Sequence, residues 1–491
     1  MRNTKKNLLT YKKYFPAILL MIFFVMQVPF LNADADYFLS TSRGPWTDEG
    51  LYTFQLRNFF NQHGFSLNEG DGLLKAPLYN LMLFPVMYVF GNNIVAIRLF
   101  LVIVIVVSFY VFVKQQVFQK ATLIFLSITL FQFHVFQYAH TALCEISAIS
   151  VFMAGVGLFI RSQIVQSKKL FIVSLCVICF SAFIKIIFLY FLILVPLTLF
   201  IENIFSYQKD KKNNVKDLIL PLGIGFIFIA VYFIFWRILD YDYFLKVITG
   251  QTEVTYGSSI KSIWERVKMN QTFYFNDTYF TINIVIFYIN ILVSGLVFFF
   301  RKKINFTKHR TLFILTACWL IFELLRFGNA YLPSRYLLSG IIANMLYLSI
   351  CIDLLFTLLI KYFKFIIYAL CSCVFVLNII QYTKSFNRRT YVMNEINDYL
   401  SATNFNNQPV LGNWAASCTW KNGAYVKPLA HGYNEINTFE NYHPRAIITE
   451  TDEADTEKVL QEQGINISEH SDSSRTFKIN QWTLVVYWIK Q

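Results

Sequence analysis

Charge is scarce in this sequence. Only 15% of its 491 residues are Asp, Glu, Lys or Arg, whereas a soluble protein carries about 25%. Hydrophobic residues make up 56% of the chain, and phenylalanine alone occurs 52 times. Long apolar runs recur to about residue 382, and many reach the roughly 20 residues that span a bilayer. We therefore exclude a soluble protein and predict a polytopic α-helical membrane protein, because helices satisfy their own backbone in lipid.

Several motifs are also missing. The chain has no Gly-rich nucleotide fingerprint, no Walker loop and no internal repeat. Cys176 and Cys179 have CxxC spacing, but they lie in an apolar segment and are predicted to be small core residues rather than a metal or redox site. Cys418 is alone after residue 382, so no disulfide is expected there. The run Phe15–Leu31 is long and no small-residue cleavage site follows it, so we expect no cleaved signal peptide.

The apolar runs predict about eleven transmembrane helices. We place them near residues 14–31, 94–113, 121–138, 142–160, 170–184, 186–202, 217–238, 279–300, 311–327, 335–358 and 364–382. The stretch from Leu170 to Ile201 is unbroken and basic at both flanks. We divide it near Lys185, which gives a hairpin whose tip points outward.

The net charge of +14 is mainly a signal of topology. Alternate connections carry the basic clusters, which are Arg2, Lys5, Lys6, Lys12 and Lys13; Lys114 and Lys120; Arg161, Lys168 and Lys169; Lys209, Lys211, Lys212 and Lys216; Arg301, Lys302, Lys303, Lys308 and Arg310; and Lys361 and Lys364. Short basic loops stay in the cytoplasm. The N-terminus is therefore predicted inside and the C-terminus outside, and no nucleic-acid partner is expected.

The same topology divides the chain into two predicted domains. A membrane domain covers residues 1–382 and has large outer loops at 32–93 and 239–278. Residues 383–491 have a soluble composition and predict a small extracytoplasmic α/β domain. Its predicted helices are Asn394–Leu400 and Asp455–Gln463, the second stopped by Gly464. Its predicted strands are Gln408–Leu411, Arg445–Thr449 and Trp482–Ile489.

Ionisable residues within the spans cluster at one side. Those predicted near outer helix ends are Arg98, Glu145, Lys185, Arg237, Glu323, Arg326 and Arg335. Only Asp353 falls near the inner side. Snorkelling to the nearer interface explains any single residue, and it is the better account of Arg237. It does not explain why the inner ends lack such groups, so we predict a shared outer-leaflet site suited to an anionic headgroup, above all a phosphate.

The first outer loop holds two adjacent acids, Asp48 and Glu49. They fall in a predicted amphipathic helix on the membrane surface, capped by Thr47 and Gly64. The apolar stripe of this helix consists of Tyr52, Leu56, Phe59 and Phe60. Acids in a first turn complement the helix dipole, and Lys75 before Pro77 is explained as an interfacial anchor. These structural explanations stand beside a chemical one.

The chemical interpretation starts from a sugar linked to a lipid phosphate. Phosphate is already a good leaving group, so transfer to a hydroxyl needs one carboxylate as base and cations to hold the departing phosphate. A glycoside hydrolase, in contrast, divides the work between two carboxyl groups. Asp48 is the candidate base, and Lys75, Lys185 and Arg335 are candidate phosphate ligands.

The loop and the spans also resemble a known family. Four segments are similar to the first periplasmic loop and second helix of GT-C glycosyltransferases, in the branch of protein O-mannosyltransferases and the aminoarabinose transferase of lipid A. The matching segments are Asp48-Glu49-Gly50-Leu51-Tyr52, Lys75-Ala76-Pro77-Leu78-Tyr79, Phe90-Gly91 and Ala96-Ile97-Arg98-Leu99. Later matches, in order, are Glu145, Ile184-Lys185 and Ser334-Arg335-Tyr336-Leu337-Leu338. The resemblance covers nearly the whole membrane domain, and an outer C-terminal domain also occurs in that family.

The resemblance implies an inverting transfer on the outer face from a polyprenyl-phosphate-sugar donor. It implies that Asp48 is the base-like carboxylate and that Lys75 and Arg335 lie near the lipid phosphate. The full predicted site comprises catalytic carboxylates and substrate-binding residues. The carboxylates are Asp48, Glu49 and Glu145, and the substrate-binding residues are Lys75, Arg98, Lys185, Arg335 and Tyr336. The acceptor is a hydroxyl of a lipid, a glycan or a protein.

Two departures leave the donor subtype open. Ala76 stands where the family often has a proline, and Leu338 leads into Ser339-Gly340 where a proline often follows. Some relatives bind a metal near this loop. The candidate ligands are Glu49, His63, Glu69 and Asp71, but no ligand spacing stands out, so we predict no metal site while a divalent metal stays an open alternative.

Two other functions compete with the transferase. A transporter or flippase of a lipid-linked sugar favours inverted repeats and polar sites near the midplane, and neither is present in the sequence. A sensor whose outer domain binds a ligand would need an output domain, and none is found. The richness in Phe, Ile, Asn and Lys favours an AT-rich, bacterial genome, and hence a multi-pass protein of the inner membrane.

Overall fold

The computed structural model describes most of the chain. It covers residues 2–490 except 40–42, 65–71, 116–120, 208–215, 240–241, 243–244, 246–262, 277–280, 307–308, 330–331, 357, 359–360, 406–407, 430–436 and 452–453. Most of the predicted loop 239–278 lies outside the described residues, as do Lys120, Lys209, Lys211, Lys212, Lys308, Glu69 and Asp71. The side chain of Arg237 is outside them as well.

The first half of the chain is helical in its described parts. Its helices are α1 (Arg2–Gln27), α2 (Gly44–Leu51), α3 (Phe54–Phe60), α4 (Gly72–Lys75), α5 (Pro77–Phe90), α6 (Ile94–Lys114), α7 (Thr122–Leu130), α8 (Phe133–Ala139), α9 (Cys144–Val165), α10 (Lys168–Ile184), α11 (Phe191–Tyr207) and α12 (Lys216–Leu239). Short 3-10 turns cover Val28–Phe30, Tyr37–Leu39 and Ile186–Phe188.

Long helices continue up to the C-terminal sheet. They are α13 (Ile263–Asn276), α14 (Thr281–Phe299), α15 (Arg310–Leu325), α16 (Ser334–Leu355), α17 (Lys361–Asn387) and α18 (Val392–Ser401), with a 3-10 turn at Arg326–Gly328. The shorter helices of the C-terminal part are α19 (Ala415–Cys418), α20 (Thr438–Tyr442), α21 (Ala454–Glu462) and α22 (Ile467–His470).

The protein is a multi-pass membrane protein by the length and composition of its helices. Within the described residues, seven helices are long and apolar enough to cross a bilayer, or eight if the bent pair α7–α8 is one span. Ten of the eleven predicted spans each fall on one main helix of the structure, and the span 121–138 falls on the bent pair α7–α8. The number eleven itself is not established, because α10 is only 17 residues long and the apolar parts of α1 and α14 are also short.

The chain breaks at Lys185, as the hairpin prediction requires. Helix α10 ends at Ile184, and Lys185 is extended with φ −148° and ψ 111°. The turn Ile186–Phe188 then leads into α11. The prediction of a small core residue holds for Cys179, which is buried, and is wrong for Cys176, which is exposed.

The first outer loop differs from its prediction. Two short helices, α2 and α3, stand in place of the single predicted helix, and Thr47 lies inside α2 rather than at its cap. Pro45 lies in the first turn and moves the start of α2 upstream. Asp48 and Glu49 therefore lie beyond the first turn, so the helix-dipole explanation of these acids is wrong. Helix α3 ends with Asn61 as its C-cap, so Gly64 is not the cap either.

The helix α2 is also not a membrane-surface helix. Residues Gly44–Gly50 are all buried. A methyl group on Gly50 would lie 2.6 Å from backbone atoms of Ala416 and Ser417, so the backbone of α2 packs directly against α19. The hydroxyl of Ser417 donates a hydrogen bond to the carbonyl of Trp46 at 2.7 Å. The C-terminal part of the chain thus covers the loop that carries the acids.

Further polar contacts fix this docking. Asp34 accepts hydrogen bonds from the Thr390 hydroxyl at 2.7 Å and from the backbone N–H groups of Val392 and Met393 at 2.8 and 3.0 Å, and it thereby satisfies the start of α18. Burial raises the pKa of Asp34. Arg57 donates to the carbonyl of Ala416, and burial lowers the pKa of Arg57 to about 9.

A five-stranded sheet forms the centre of the C-terminal part. The strands are β1 (Val410–Leu411), β2 (Val426–Lys427), β3 (Ala446–Glu450), β4 (Ser471–Ile479) and β5 (Trp482–Ile489). Their order is β2-β1-β3-β5-β4. Strand β1 is parallel to β2 and β3, whereas β5 is antiparallel to β3 and β4.

The predicted strands and helices of this part are present, with ends that shift by one or two residues. Strands β2 and β4 were not predicted. Strand β4 is an edge strand, and most of its residues are exposed and polar, so it lacks the apolar alternation of a half-buried strand. Helix α17 runs past residue 382 to Asn387, and the division into domains 1–382 and 383–491 stays a prediction.

Candidate active site

Four charged side chains meet at one end of the helices. Asp48 comes from α2, Glu145 from the first turn of α9, Lys185 from the break after α10, and Arg335 from the first turn of α16. Arg335 Nη2 lies 2.7 Å from Asp48 Oδ2, and Arg335 Nε lies 3.6 Å from Glu145 Oε1. Lys185 Nζ lies 3.4 Å from the same Glu145 oxygen. We call these four residues the Asp48 cluster.

The Asp48 cluster is buried and its formal charges cancel. All four residues are buried. Two carboxylates face two cations, and Glu145 lies between Arg335 and Lys185. Neither Asp48 Oδ2 nor Glu145 Oε1 accepts an aligned hydrogen bond from the described residues. Ion pairs thus hold the two carboxylates, while one oxygen of each is left able to accept a further hydrogen bond. Buried polar atoms rarely lack a hydrogen bond without a functional reason.

Two tyrosines enclose the cations. Lys185 donates a hydrogen bond to the hydroxyl of Tyr52, and its Nζ lies 3.9 Å from the Tyr52 ring centre and 5.7 Å from that of Tyr336. Arg335 lies 5.1 Å from the Tyr336 ring. Burial raises the pKa of Tyr52 well above its ordinary value, so its phenol stays protonated. Tyr52 was predicted only as part of an apolar stripe. Tyr52 ends the matching motif that begins with Asp48-Glu49, and this position could have indicated that it belongs to the site.

Glu49 belongs to a different set of contacts. Arg98 binds both of its carboxylate oxygens, with Nε to Oε1 at 3.0 Å and Nη2 to Oε2 at 2.6 Å. The backbone N–H of Ala142 donates to Oε1 as well. Arg98 also donates to the carbonyls of Leu31 and Ala33, at 3.1 and 2.8 Å. Glu49 and Arg98 thus tie α2 to α6 and to the chain that enters α9.

Lys75 ends the short helix α4 and is half-buried. Helix α4 packs against the end of α2, since a methyl group on Gly72 would lie 2.4 Å from the carbonyl oxygen of Leu51. Pro77 starts α5. The Tyr79 hydroxyl donates to the Ala142 carbonyl at 2.7 Å, and its ring lies 6.4 Å from that of Tyr52. The Lys75 segment therefore adjoins the Asp48 cluster, and its phosphate contact stays a prediction.

Other ionisable groups form separate pairs. Glu323 and Arg326 lie 2.8 Å apart and share Tyr190, whose hydroxyl donates to Glu323. Tyr190 also lies 3.0 Å from the hydroxyl of Ser339, one turn along α16 from Arg335. Asp353 lies at the opposite end of α16 and is 3.1 Å from His309. The predicted outer site therefore divides into the Asp48 cluster, the Glu49–Arg98 pair and the Glu323–Arg326 pair.

The metal candidates are engaged elsewhere or are not described. Glu49 is bound by Arg98, and His63 Nε2 lies 2.6 Å from the Gly423 carbonyl. Glu69 and Asp71 lie outside the described residues. Within the described ranges, no three His, Cys, Asp or Glu residues are grouped to hold a metal ion.

Comparison with solved structures shows that this chain shares the fold of ArnT, in agreement with the resemblance found in the sequence. The crystal structure of ArnT from Cupriavidus metallidurans bound to undecaprenyl phosphate matches with a TM-score of 0.62 at 11% identity, over 97% of this chain and 98% of that chain. ArnT in the apo state matches with a TM-score of 0.48 at 11% identity, over 98% of each chain. No protein-family model matches the sequence, and no curated protein sequence matches it significantly.

Proposed function

We propose that the protein is a membrane glycosyltransferase. It moves a sugar from a polyprenyl-phosphate-linked donor to a hydroxyl of a lipid, glycan or protein acceptor, with inversion at the anomeric carbon. The Asp48 cluster carries this proposal, because it places two cations beside a carboxylate with unused acceptor capacity at the end of a helix bundle. A fold shared with a protein that binds undecaprenyl phosphate supports the choice of donor.

Asp48 acts as the general base in this proposal. Its Oδ2 takes the proton of the acceptor hydroxyl as the acceptor oxygen bonds to the anomeric carbon. The bond between that carbon and the phosphate oxygen breaks, and its electron pair leaves with the phosphate. A single displacement of this kind inverts the anomeric centre, and a base in position contributes about 100-fold to 10,000-fold in rate.

The cations stabilise the departing phosphate. Arg335 is paired with Asp48. A bound phosphate would compete for the guanidinium, which binds phosphate with two parallel hydrogen bonds, and so would release Asp48 to act as base. Lys185 and Lys75 supply further positive charge. The ring of Tyr336 covers Arg335. It would shield the guanidinium and the bound phosphate from water, which strengthens the attraction between them.

The remaining predicted residues are positioning residues in this mechanism. Glu145 holds Arg335 and Lys185 at one place, because one of its oxygens faces both. Glu49 and Arg98 fix α2, and hence the direction in which Asp48 points. In this proposal Glu49 and Glu145, which the sequence analysis grouped with the catalytic carboxylates, act as supporting carboxylates.

The proposal includes a location. The protein lies in the inner membrane of a bacterium with its N-terminus in the cytoplasm, so the Asp48 cluster and the C-terminal sheet face outside. A reporter fused after Gln491 tests this orientation. Phosphatase activity outside the cytoplasm is the expected result, and a cytoplasmic signal would overturn the orientation together with the outer-face transfer.

The reaction is tested with Asp48→Asn in membrane vesicles supplied with radiolabelled polyprenyl-phosphate sugars. Transfer to endogenous acceptors should fall at least about 100-fold, while the amount of folded protein is unchanged. Asp398→Asn is the matched control, since Asp398 is an exposed carboxylate paired with Lys421. Near-normal transfer by Asp48→Asn would refute the base assignment. Unchanged donor dependence in both Lys75→Ala and Arg335→Ala would refute the phosphate site.

A further inference from the structure

A second set of buried polar side chains joins α15 to α16 and to the start of α11. Trp319 and Glu323 belong to α15, Arg326 starts the turn after it, Ser339 belongs to α16, and Tyr190 directly precedes α11. Four of these residues are buried, and Tyr190 is half-buried. The proposed reaction gives them no role. We call the five residues the Glu323 network.

The hydrogen bonds of the Glu323 network close into a ring. The indole N–H of Trp319 is shared, since it lies 2.9 Å from the Ser339 hydroxyl and 3.2 Å from Glu323 Oε1. The Tyr190 hydroxyl donates to Glu323 and lies 3.0 Å from the Ser339 hydroxyl. Because Tyr190 has one proton and gives it to Glu323, Ser339 donates to Tyr190. Arg326 binds the other oxygen of Glu323 at 2.8 Å.

This ring joins the two segments that carry the cations of the Asp48 cluster. Ser339 lies one turn after Arg335 on α16. Tyr190 follows Lys185 beyond a single 3-10 turn, in the segment where the predicted hairpin breaks. The contact between the hydroxyls of Tyr190 and Ser339 therefore fixes these two segments relative to each other. It thereby sets the separation of Lys185 and Arg335.

Aromatic packing adds the helix that carries Glu145. The ring of Trp319 lies edge-on to Phe152 of α9, with 4.9 Å between ring centres, and edge-on to Phe191 of α11 at 5.7 Å. Phe152 lies two turns after Glu145 and stacks on Phe191 at 3.8 Å. Packed aromatic rings have preferred mutual orientations. Trp319 thus connects the Glu323 network to α9 as well as to α11.

Helix stability alone does not account for a charged pair in this place. Apolar residues of similar volume often stabilise a protein as well as a buried ion pair does. Helices α11 and α15 are also joined at their opposite ends, where the Thr311 hydroxyl donates to Glu202 at 2.6 Å and Arg310 donates to the Glu202 carbonyl at 3.1 Å. The charged network lies at the end that carries the Asp48 cluster. Groups that bind a reacting substrate must be held to within about 0.5 Å, and paired polar networks supply such rigidity.

We propose that the Glu323 network positions the two cations of the donor phosphate site. Resting on the proposed function, the hydroxyls of Tyr190 and Ser339 hold Lys185 and Arg335 at the spacing at which both bind one phosphate. The network acts only through these cations. Its loss should therefore weaken donor binding and leave the rate at saturating donor about the same.

The first test measures binding without turnover. The purified full chain in detergent is titrated with undecaprenyl phosphate, and affinity is read by microscale thermophoresis. Tyr190→Phe and Ser339→Ala each remove one hydroxyl and should weaken binding about fivefold, as expected for one hydrogen bond. Tyr347→Phe is the matched control, since its hydroxyl accepts from Ser294 at 3.4 Å farther along α16. Undecaprenol, the same lipid without the charge, should bind all variants equally.

Kinetics separates positioning from a general loss of stability. In membrane vesicles, the donor concentration that gives half-maximal transfer should rise about fivefold in Tyr190→Phe. Thr311→Val removes a hydroxyl that joins the same two helices at their opposite ends. It should lower the unfolding midpoint and leave the donor requirement unchanged. An equal rise in both variants would show that the network only stabilises the helices.

A double variant tests the ion pair. Glu323→Met with Arg326→Met removes both charges, and such apolar replacements are often neutral for stability. The protein should fold, melt near the wild-type midpoint and bind undecaprenyl phosphate more weakly. Wild-type affinity in folded double variant would refute the positioning role. Should Ser339→Ala fail to fold, Tyr190→Phe and the double variant decide the question.

The wild-type chain distinguishes the two levels of the proposal. If it binds undecaprenyl phosphate no better than undecaprenol, the proposed function fails and the positioning role fails with it. If it prefers the phosphate, and the network variants bind with the same affinity as wild type, only the positioning role is refuted.

Discussion

The two adjacent acids of α2 belong to different parts of the molecule. Both oxygens of Glu49 are bound, by Arg98 and by the N–H of Ala142. Asp48 has an ion pair with Arg335, and its Oδ2 has no aligned hydrogen bond among the described residues. A fully satisfied carboxylate fixes structure, whereas one with spare capacity can accept a proton. The residue type does not distinguish these two roles. The number and alignment of the hydrogen bonds that each carboxylate accepts do distinguish them.

The largest expected effect sharpens this contrast at Asp48. Asp48→Asn keeps the shape of the side chain and removes its basicity, so transfer should fall about 100-fold to 10,000-fold. The thermal unfolding midpoint in detergent should fall less than in Glu49→Gln, because Asp48 Oδ2 accepts no aligned hydrogen bond and Arg335 keeps a second carboxylate, Glu145, at 3.6 Å. Initial rates with a lipid-phosphate sugar measure the first expectation and a melting curve the second. A variant that melts early would make Asp48 a structural acid like Glu49.

Glu49→Gln should show the opposite pattern. It leaves the buried Arg98 without its charge partner, and breaking a buried pair costs about 3–5 kcal/mol. The unfolding midpoint should fall strongly, and activity per folded molecule should fall less than in Asp48→Asn. Glu395→Gln, an exposed change in the C-terminal part, serves as the control. A stable but inactive Glu49→Gln would show that Glu49 takes part in the chemistry.

A smaller effect is expected where α2 meets α19. The added methyl group of Gly50→Ala meets backbone atoms 2.6 Å away, and overpacking of this kind costs about 1–3 kcal/mol. Limited proteolysis of the C-terminal part should become faster. Gly295→Ala is the matched control in a helix, since nothing lies within 4 Å of its new methyl group. If the two variants resist proteolysis equally, α2 does not pack tightly against α19.

Arg335→Lys tests the phosphate contact with the positive charge retained. Lysine cannot reach Asp48 and Glu145 together or bind phosphate with a planar fork. The KM for the polyprenyl-phosphate donor should rise about tenfold, equivalent to about 1.4 kcal/mol, with a smaller change for the acceptor. Steady-state kinetics with each substrate varied in turn provides the measurement. A selective effect on the acceptor would contradict the assignment.

The smallest effect is expected for Tyr52→Phe. The ring that covers Lys185 is kept and only the hydroxyl is lost, so a single hydrogen bond worth about 1 kcal/mol is removed. Transfer should fall about fivefold, and Tyr79→Phe, whose hydroxyl binds a backbone carbonyl instead, should change stability more than rate. Total loss of transfer in Tyr52→Phe would show that the tyrosine is itself catalytic.

Part of this contrast was readable from the sequence. The resemblance selected Asp48, Glu145, Lys185 and Arg335, which come from four distant segments, and the structure places them in contact. The same motif also selected Glu49 and Arg98, and nothing in it distinguishes a supporting pair from a reactive one. The predicted surface helix failed for a related reason. The stripe from Tyr52 to Phe60 reports that one face is apolar and does not identify what covers it.

By itself, the sequence determined the membrane class, the helix positions, the break at Lys185 and three strands of the sheet. These follow from local hydrophobic pattern, chain length and backbone preference. Only the tertiary structure decided that α2 packs under α19 and that Gln137 lies beside Asn378. It also decided that both carboxylate oxygens of Glu49 accept hydrogen bonds, whereas Asp48 Oδ2 accepts none from the described residues. Such contacts join residues far apart in the chain. The local sequence pattern does not indicate which residue will bind a given buried polar atom. That is why the roles of two neighbouring acids became distinct only in the folded protein.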